Sequence, residues 1–201
     1  YIQLDGGKGS LFHEGALALP SGRNALAWLI EAAGIRKIYV PYFVCGTAYE
    51  PCEKAGVPVL FYHVDERFRP VPEDLPEKTE DGEWLYLVNH YGQLTEEAIL
   101  QFCSRYPNVI VDNTQAYFAM PARGVQTIYS CRKYFGVADG AFLYTDHTEG
   151  YEDLPRDSSC EHMHFLLSRC EKPASDTYSE YVANNARCHT LPLRRMAPLT
   201  E

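Results

Sequence analysis

Apolar runs alternate with polar stretches between residues 21 and 145, and this alternation predicts helices interleaved with strands. Ser21 precedes an Ala-rich apolar run that stops at Gly34, which predicts a helix with both ends marked. Helices are also predicted over 45–55 and over 96–105, the second capped by Thr95. Short apolar runs predict strands at 37–41, 59–62, 84–88, 109–111, 126–130 and 141–145.

The predicted strands at 59–62, 84–88 and 109–111 are continuously apolar, which is typical of a sheet covered on both faces. The alternation therefore predicts an α/β fold, a three-layer sandwich with a mostly parallel central sheet. Residues 1–20 contain glycine breakers and are predicted to form an irregular arm, and 21–147 to form the main domain. Residues 148–201 are predicted to be irregular and partly helical, with helical patterns at 161–170 and 176–187.

Residues with chemical potential follow several of the predicted strands. In sheets of this kind, ligands bind outside the carboxyl ends of the strands. Pro41, His90, Asp112 and Ser130 lie at or just past such ends. This convergence predicts a single site.

Lys133 stands between a serine and a Gly-containing turn, and Asp112 ends an apolar run 21 residues earlier. These two groups are what a pyridoxal 5'-phosphate (PLP) site requires. The amine bonds the cofactor aldehyde, and the carboxylate keeps the pyridine nitrogen protonated. A solvated surface lysine and a turn-capping aspartate are the alternatives. The neighbours Tyr134 and Phe135 favour a buried lysine.

Candidate phosphate anchors are Ser130 and the helix start at Ser21, Gly22 and Arg23. A helix N-terminus offers free N–H groups and the positive end of the dipole, and Arg23 would add charge. For Ser21, ordinary N-capping explains the residue equally well. The two interpretations are compatible.

Three further residues are candidates for the pocket wall. His90 would line the cofactor pocket or polarise a substrate group, unless it is a structural histidine. Gln115 would reach the phenolic oxygen of the cofactor, unless it is a turn or core amide. Phe43 would stack on a pyridine ring, unless it packs in the core.

Composition narrows the class of protein. The 201 residues carry a net charge of −9 and no basic cluster beyond Arg194-Arg195, which argues against a nucleic-acid partner. Seven cysteines without a C-x-x-C pair favour a reducing, cytoplasmic location and give no support for a metal site. Apolar runs fall short of the ~20 residues that span a bilayer, so no membrane association is predicted.

Several motifs in order resemble the DegT/StrS family of PLP-dependent sugar aminotransferases, of the fold-type-I (aspartate aminotransferase-like) class. The resemblance covers roughly residues 15–146, with a weaker similarity at 194–200. The motifs are Ser21-Gly22-Arg23, Val40-Pro41-Tyr42-Phe43, Asn89-His90-Tyr91-Gly92, Val111-Asp112-Asn113-Thr114-Gln115-Ala116, Ser130-Cys131-Arg132-Lys133 and Asp139-Gly140-Ala141.

The resemblance implies a role for each matching residue. Lys133 would hold the cofactor and move the proton, Asp112 would pair with the ring nitrogen, and Gln115 would face the phenolic oxygen. The other implied contacts are to the phosphate or the pocket wall, from Gly22, Arg23, Ser130, His90 and Phe43.

The resemblance also implies a homodimer that moves an amino group from glutamate to a keto-sugar, typically nucleotide-linked, by a ping-pong mechanism. The chain departs from the family pattern in the spacing of Ser130 to Lys133, in Arg23, and in Cys45, near which the ring-stacking aromatic is expected. The C-terminal small domain of the family is expected to be missing from these 201 residues.

Three functions other than transamination are alternatives for this sequence. PLP-dependent dehydration is disfavoured by Lys133, because dehydrating relatives tend to carry histidine there. A nucleotide-binding α/β domain is disfavoured because no Gly-x-Gly-x-x-Gly follows a strand. A degenerate or truncated aminotransferase-like domain with a binding or assembly role stays open, and cofactor binding separates it from an enzyme.

Overall fold

The computed structural model describes residues 12–201 and shows one seven-stranded sheet with helices on both faces. The strands are β1 Leu17–Leu19, β2 Lys37–Pro41, β3 Val59–Tyr62, β4 Glu83–Val88, β5 Val109–Asp112, β6 Gln126–Ser130 and β7 Ala141–Tyr144. The helices are α1 Gly22–Ala32, α2 Glu50–Lys54, α3 Glu96–Arg105, α4 His164–Leu167 and α5 Tyr178–Thr190. The predicted α/β fold with a mostly parallel sheet is confirmed.

The strand order is β1-β7-β6-β5-β4-β2-β3. Strands β2 to β6 pair in parallel, and β7 pairs antiparallel with both β6 and β1, so that β7 alone is reversed. As a result, the carboxyl ends of β2, β4, β5 and β6 lie at the same edge of the sheet.

Alternate residues of the central strands fill two separate cores. Tyr86 and Val88 of β4 lie in a core with Leu29 of α1, whereas Leu85 lies in a second core with Ile99 of α3. Because successive side chains of a strand point to opposite faces, a strand covered on both sides is apolar at every position. This burial explains the continuous apolar runs in the sequence.

Two predicted helix starts are confirmed by their caps. The Ser21 hydroxyl accepts a hydrogen bond from the backbone N–H of Asn24 at 3.3 Å, and the Thr95 hydroxyl accepts one from that of Ala98 at 3.2 Å. Each bond satisfies an N–H group that has no partner inside its helix.

The prediction of a single helix over 45–55 was wrong. A 3₁₀ turn, Gly46–Ala48, precedes the short helix α2. Pro51 lies in the first turn of α2, where its missing N–H costs no intrahelical bond, so the α-helix begins beside it.

The prediction of an irregular arm over 1–20 was wrong at its C-terminal end, and residues 1–11 lie outside the described part of the chain. Leu17–Leu19 form β1, paired with β7. Ala18 is further fixed by Tyr151, whose hydroxyl accepts a bond from the Ala18 N–H at 3.0 Å and donates one to the Ala18 carbonyl at 2.9 Å. Three residues are too few for a periodic pattern, so only pairing reveals this strand.

The end of the described chain packs back on the sheet through the Asp139-Gly140 pair. The buried Asp139 carboxylate accepts hydrogen bonds from the Ala197 N–H at 3.2 Å and from the Thr200 hydroxyl. Gly140 has φ +115°, and a Cβ there would lie 2.6 Å from Cγ2 of Thr200. The Asp-Gly sequence therefore holds the last residues against the loop that follows Lys133. The domain boundary at 147 stays a prediction.

All seven cysteines are free thiols. In the part of the chain that the structure describes, no helix has the length and apolarity to cross a bilayer. The same part contains no cluster of three or more His, Cys, Asp or Glu side chains arranged to hold a metal ion.

Candidate functional site

One cleft of about 690 Å³ opens at the carboxyl edge of the parallel strands. The N-terminus of α1 forms one side of the cleft, and a face of α5 forms another. The structure brings all eight predicted site residues to its wall, namely Gly22, Arg23, Phe43, His90, Asp112, Gln115, Ser130 and Lys133.

Asp112 is the last residue of β5, and its side chain is buried at the cleft. Oδ2 accepts a hydrogen bond from the Tyr86 hydroxyl at 2.9 Å, and Oδ1 accepts one from the Thr114 N–H at 2.8 Å. Burial raises the pKa of Tyr86 well above its usual value, and the Asp112 carboxylate raises it further, so the hydroxyl stays a donor. Both oxygens of Asp112 are thus held in place by the protein.

Lys133 ends the 3₁₀ turn Cys131–Lys133, which follows β6 directly. Its Nζ lies 3.5 Å from the hydroxyl oxygen of Thr114, the residue whose N–H binds Asp112. Over the described residues, no carboxylate lies within ion-pair distance of Lys133. The lysine amine therefore points to the same part of the cleft as the aspartate.

The expected burial of Lys133 was wrong. Lys133 is exposed in this chain, and the following aromatics Tyr134 and Phe135 are 39% and 44% exposed. The short 3₁₀ turn carries this segment out of the sheet to the mouth of the cleft, where no element formed by residues 12–201 covers it.

His90 is 3% exposed, and neither of its ring nitrogens has a hydrogen-bond partner in the described structure. The ring packs against Phe43, at 5.2 Å, and Phe68, at 5.0 Å, which also stack on each other. Burial lowers the pKa of His90; the Asp112 carboxylate opposes this shift, and the Lys133 ammonium adds to it. A neutral imidazole with two unused nitrogens therefore faces the cleft.

Phe68 is a further aromatic residue beside His90 that was not predicted from the sequence. Phe68 has φ +57° and its neighbour in space, Tyr91, has φ +55°, a region that residues other than glycine rarely adopt. The two rings meet edge to face at 5.7 Å beside His90. No sequence pattern indicates this contact, because it depends on two unusual backbone conformations in separate loops.

Gln115 and Ser130 both line the cleft and are half-buried. Oε1 of Gln115 accepts a hydrogen bond from the Tyr91 N–H at 3.4 Å, which leaves its NH₂ group for a ligand. Ser130 ends β6.

Cys45 lies on the wall near the position where the family resemblance placed a stacking aromatic. Its sulfur lies 3.2 Å from the Thr47 hydroxyl oxygen. Hydrogen bonds to the side chain and the backbone of Thr47 lower the pKa of the thiol, and the charges of Lys133 and Arg23 lower it further. Phe43 and Tyr42, 54% and 60% exposed, are aromatic residues on that wall.

Arg23 does not provide a free charge at the start of α1. Its Nε donates to Oε2 of Glu50 at 3.0 Å, and its Nη2 lies 3.0 Å from Nε2 of His189. Burial opposes ionisation of Glu50, but hydrogen bonds from Lys54 and His189 hold the pKa of its carboxyl below the ordinary value. The positive charge of Arg23, which was expected to bind a phosphate, is therefore compensated by the carboxylate of Glu50. No sequence pattern indicates this pair.

Helix α5 was predicted as a helix but not as part of the site. Tyr181, Asn185 and His189, spaced four residues apart, lie on one face that lines the cleft. The i, i+4 spacing of these residues is visible in the sequence. Their hydrogen-bond partners, Arg132 for Asn185 and Arg23 for His189, lie 53 or more residues away. Only the folded chain shows that this face closes the cleft.

Comparison with known proteins gives matches to structures alone. No family model matches the chain, and no curated protein sequence matches it. DesV from S. venezuelae, solved in complex with a ketimine intermediate, matches with a TM-score of 0.56 and 18% identity, over 69% of this chain and 43% of its own. NtdA from Bacillus subtilis with bound cofactor PMP gives 0.53 and 19%, over 65% and 33%.

A DegT DnrJ EryC1 StrS aminotransferase from Brucella abortus matches with a TM-score of 0.51 and 17% identity, over 76% of this chain and 44% of its own. At such identities the likeness establishes a shared fold. The chain spans 33% to 44% of the length of these three structures.

Proposed function

We propose that this chain, which has the fold of part of the DegT-type aminotransferases, is the PLP-binding large domain of such an enzyme. The observation that carries the proposal is the placement of Lys133 and Asp112 in one cleft, linked through Thr114. When bound, PLP would act as an electron sink for amino-group transfer.

The chain's own groups suit this cofactor. Asp112 offers a buried carboxylate, already oriented by Tyr86 and Thr114, to a protonated ring nitrogen. Lys133 offers an amine with no competing carboxylate among residues 12–201, close enough to the cleft to bond a carbonyl carbon and to move a proton there.

The remaining wall supports the same ligand. The unpartnered nitrogens of His90 leave a buried polar group to be satisfied, which a ligand with oxygen or nitrogen atoms would do. Phe43 supplies an aromatic face, and the start of α1 at Gly22 supplies backbone N–H groups for a phosphate. Ser130 and the NH₂ of Gln115 add hydrogen-bond donors.

For the reaction, we propose transfer of an amino group from glutamate to a keto-sugar, nucleotide-linked as the resemblance implies. In this scheme Lys133 holds and releases the proton at the reacting carbon, and Asp112 pairs with the ring nitrogen of the cofactor. Support comes from the order of the motifs and from the shared fold with DesV and with the Brucella aminotransferase.

A non-catalytic binding role is the second candidate. It is favoured by the exposure of Lys133, because an exposed amine is fully solvated and is not activated by burial. The charge compensation of Arg23 by Glu50 points the same way.

Absorption spectroscopy of the purified chain with added PLP separates the two candidates. If the chain is an enzyme, we expect a visible absorption band that borohydride removes. The mass of the reduced cofactor should then be found on the peptide that contains Lys133. Lys133→Ala should show neither, while Lys172→Ala, a change at an exposed lysine outside the cleft, should behave as wild type. A folded wild-type chain with no band would overturn the proposal in favour of the binding role.

We also propose that the chain forms a homodimer, as the resemblance implies. An aromatic patch beside Lys133 supports this, because monomers rarely expose large contiguous apolar surfaces. The exposed residues of the patch contact one another or Tyr117; they are Phe12, Phe118, Tyr134 and Phe135. Met120, two residues after Phe118, is also exposed. A second copy there would cover Lys133, which residues 12–201 of its own chain leave exposed.

A further inference from the structure

Arg132 is a second arginine on the cleft wall, immediately before Lys133 and half-buried. Its Nη2 donates a hydrogen bond to Oδ1 of Asn185 on α5 at 2.5 Å. In the part of the chain described here, no carboxylate lies within ion-pair distance of Arg132. The guanidinium therefore lines the cleft with its charge uncompensated.

Asn185 adds a further hydrogen-bond donor beside Arg132. A guanidinium has five N–H donors and no acceptor, and an amide has one acceptor and an NH₂ group. Arg132 occupies the amide oxygen of Asn185, so the Asn185 NH₂ remains as a further donor. Donors without acceptors, together with a positive charge, suit an oxyanion.

Arg23, unlike Arg132, already has a carboxylate partner. Glu50 lies 3.0 Å from Arg23, 2.6 Å from Lys54 and 2.8 Å from His189, so the charge of Arg23 has a counter-charge in the protein. Of the two arginines on the cleft wall, Arg132 alone has a free charge within the described structure.

The neighbouring residues hold Asn185 in position. Asn184 is buried and donates to the Ala138 carbonyl at 2.9 Å, on the loop that follows Lys133. Arg187 pairs with the buried Asp157. These contacts fix the middle of α5 against the domain, so that the Arg132–Asn185 pair is set before any ligand arrives.

We propose that Arg132 and Asn185 form an oxyanion subsite that determines which substrate or cofactor group sits beside Lys133. The inference rests on the proposed function and deepens it. The oxyanion is a carboxylate of the amino donor, or a phosphate carried by the cofactor or the acceptor. A guanidinium fork matches either group with two parallel hydrogen bonds.

The test is an NMR titration of the full chain without PLP, following the backbone amides of the 131–133 turn. Glutarate probes the carboxylate source, and inorganic phosphate probes the phosphate source. Arg132→Gln should weaken the binding of at least one of them about tenfold or more. Arg36→Gln serves as the matched control, because Arg36 precedes β2 at the opposite edge of the sheet and pairs with Asp81. The control should change neither affinity more than twofold.

The two probes identify the source. Loss of glutarate binding alone assigns the subsite to a carboxylate, and loss of phosphate binding alone assigns it to a phosphate. Unchanged binding of both probes in Arg132→Gln overturns the proposal. If Arg132→Gln does not fold, Asn185→Ala replaces it, with a several-fold loss expected and unchanged binding again decisive.

Borohydride labelling of the same samples separates this proposal from the proposed function. PLP trapped on Lys133, with anion binding indifferent to Arg132, removes the subsite and keeps the function. Anion binding that depends on Arg132 without trapping on Lys133 keeps an oxyanion site and removes the function.

Discussion

The Tyr86 hydroxyl donates a 2.9 Å hydrogen bond to Oδ2 of Asp112, from β4 to the neighbouring strand β5. Both side chains are buried, and the Thr114 N–H occupies the other carboxylate oxygen. The carboxylate is thus oriented by the sheet itself before a ligand arrives, which is the kind of preorganisation that a fixed counter-charge needs.

Replacement of Tyr86 by phenylalanine should therefore weaken PLP binding. A hydrogen bond to a charged acceptor contributes about 1.5–3 kcal/mol, so the Kd should rise about tenfold or more. Absorption titration with PLP measures it. Tyr39→Phe is the matched control, since Tyr39 is also buried and donates to a carboxylate, that of Glu83, at the other end of the sheet. Equal affinities in the two variants would contradict the role given to Tyr86.

His90 should make the fold sensitive to acid. Its pKa is lowered in the folded state, so as pH falls below the unfolded value of about 6.5 the unfolded chain takes up the proton first. The stability is fully present above that pH and is lost as pH falls toward the folded pKa. The slope approaches at most about 1.4 kcal/mol per pH unit for this group.

Urea unfolding between pH 5 and 7.5 tests this dependence. His90→Gln should flatten the decline, while His162→Gln, outside the cleft, should leave it unchanged. An identical slope for wild type and His90→Gln would count against a neutral buried imidazole. Part of the decline will remain, because burial also lowers the pKa of His13.

Glu50→Gln should release Arg23 to bind phosphate. The carboxylate now faces Arg23, Lys54 and His189, and its removal frees their charge at the start of α1. Phosphate binding should become several-fold tighter, while the free energy of unfolding falls by about 1–3 kcal/mol because hydrogen bonds to a charged group are lost. Glu53→Gln, an exposed change on the same helix, is the control. Phosphate binding that weakens in Glu50→Gln would show that Arg23 needs Glu50 for its position.

Gly140→Ala should destabilise the fold by about 1–3 kcal/mol or more. The new Cβ meets Thr200 at 2.6 Å and Cys131 at 3.0 Å, in addition to the strain of φ +115°. Gly150→Ala, with φ +81° and no atom within 4 Å, isolates the strain alone. Thermal unfolding of both variants gives the difference, and equal losses would show that the contact with Thr200 is unimportant.

Serine in place of Phe118 and Met120 should shift the proposed dimer toward the monomer. Phe118 lies in the aromatic patch and Met120 two residues after it, and both side chains are more than 60% exposed, so the monomer loses little buried surface. Light scattering after size-exclusion chromatography measures the mass. Leu167→Ser, at a residue of α4 that is 64% exposed, controls for the loss of surface apolarity. A monomeric wild-type chain, or a dimer that survives both changes, would argue against this interface.

The sequence alone predicted the strands and helices that short stretches of residues determine. The apolar runs of β2 to β7 and the caps Ser21 and Thr95 indicate the strand and helix positions. Central strands such as β4 and β5 are covered on both faces and need apolar residues throughout, and a helix start needs a hydrogen-bond acceptor. The same logic placed Asp112 and Lys133 after neighbouring parallel strands, and hence at one edge of the sheet.

The tertiary structure decided what depends on pairing between distant residues. Strand β1 exists because β7 pairs with it, and the charge of Arg23 is compensated because the Glu50 carboxylate folds onto it. Lys133 is exposed because no element within the described part of the chain covers the turn that carries it. Contacts between segments far apart in sequence leave no periodic trace. The sequence therefore named candidate residues for the site, and only the fold sets their charge balance, their exposure and the position of α5 at the cleft.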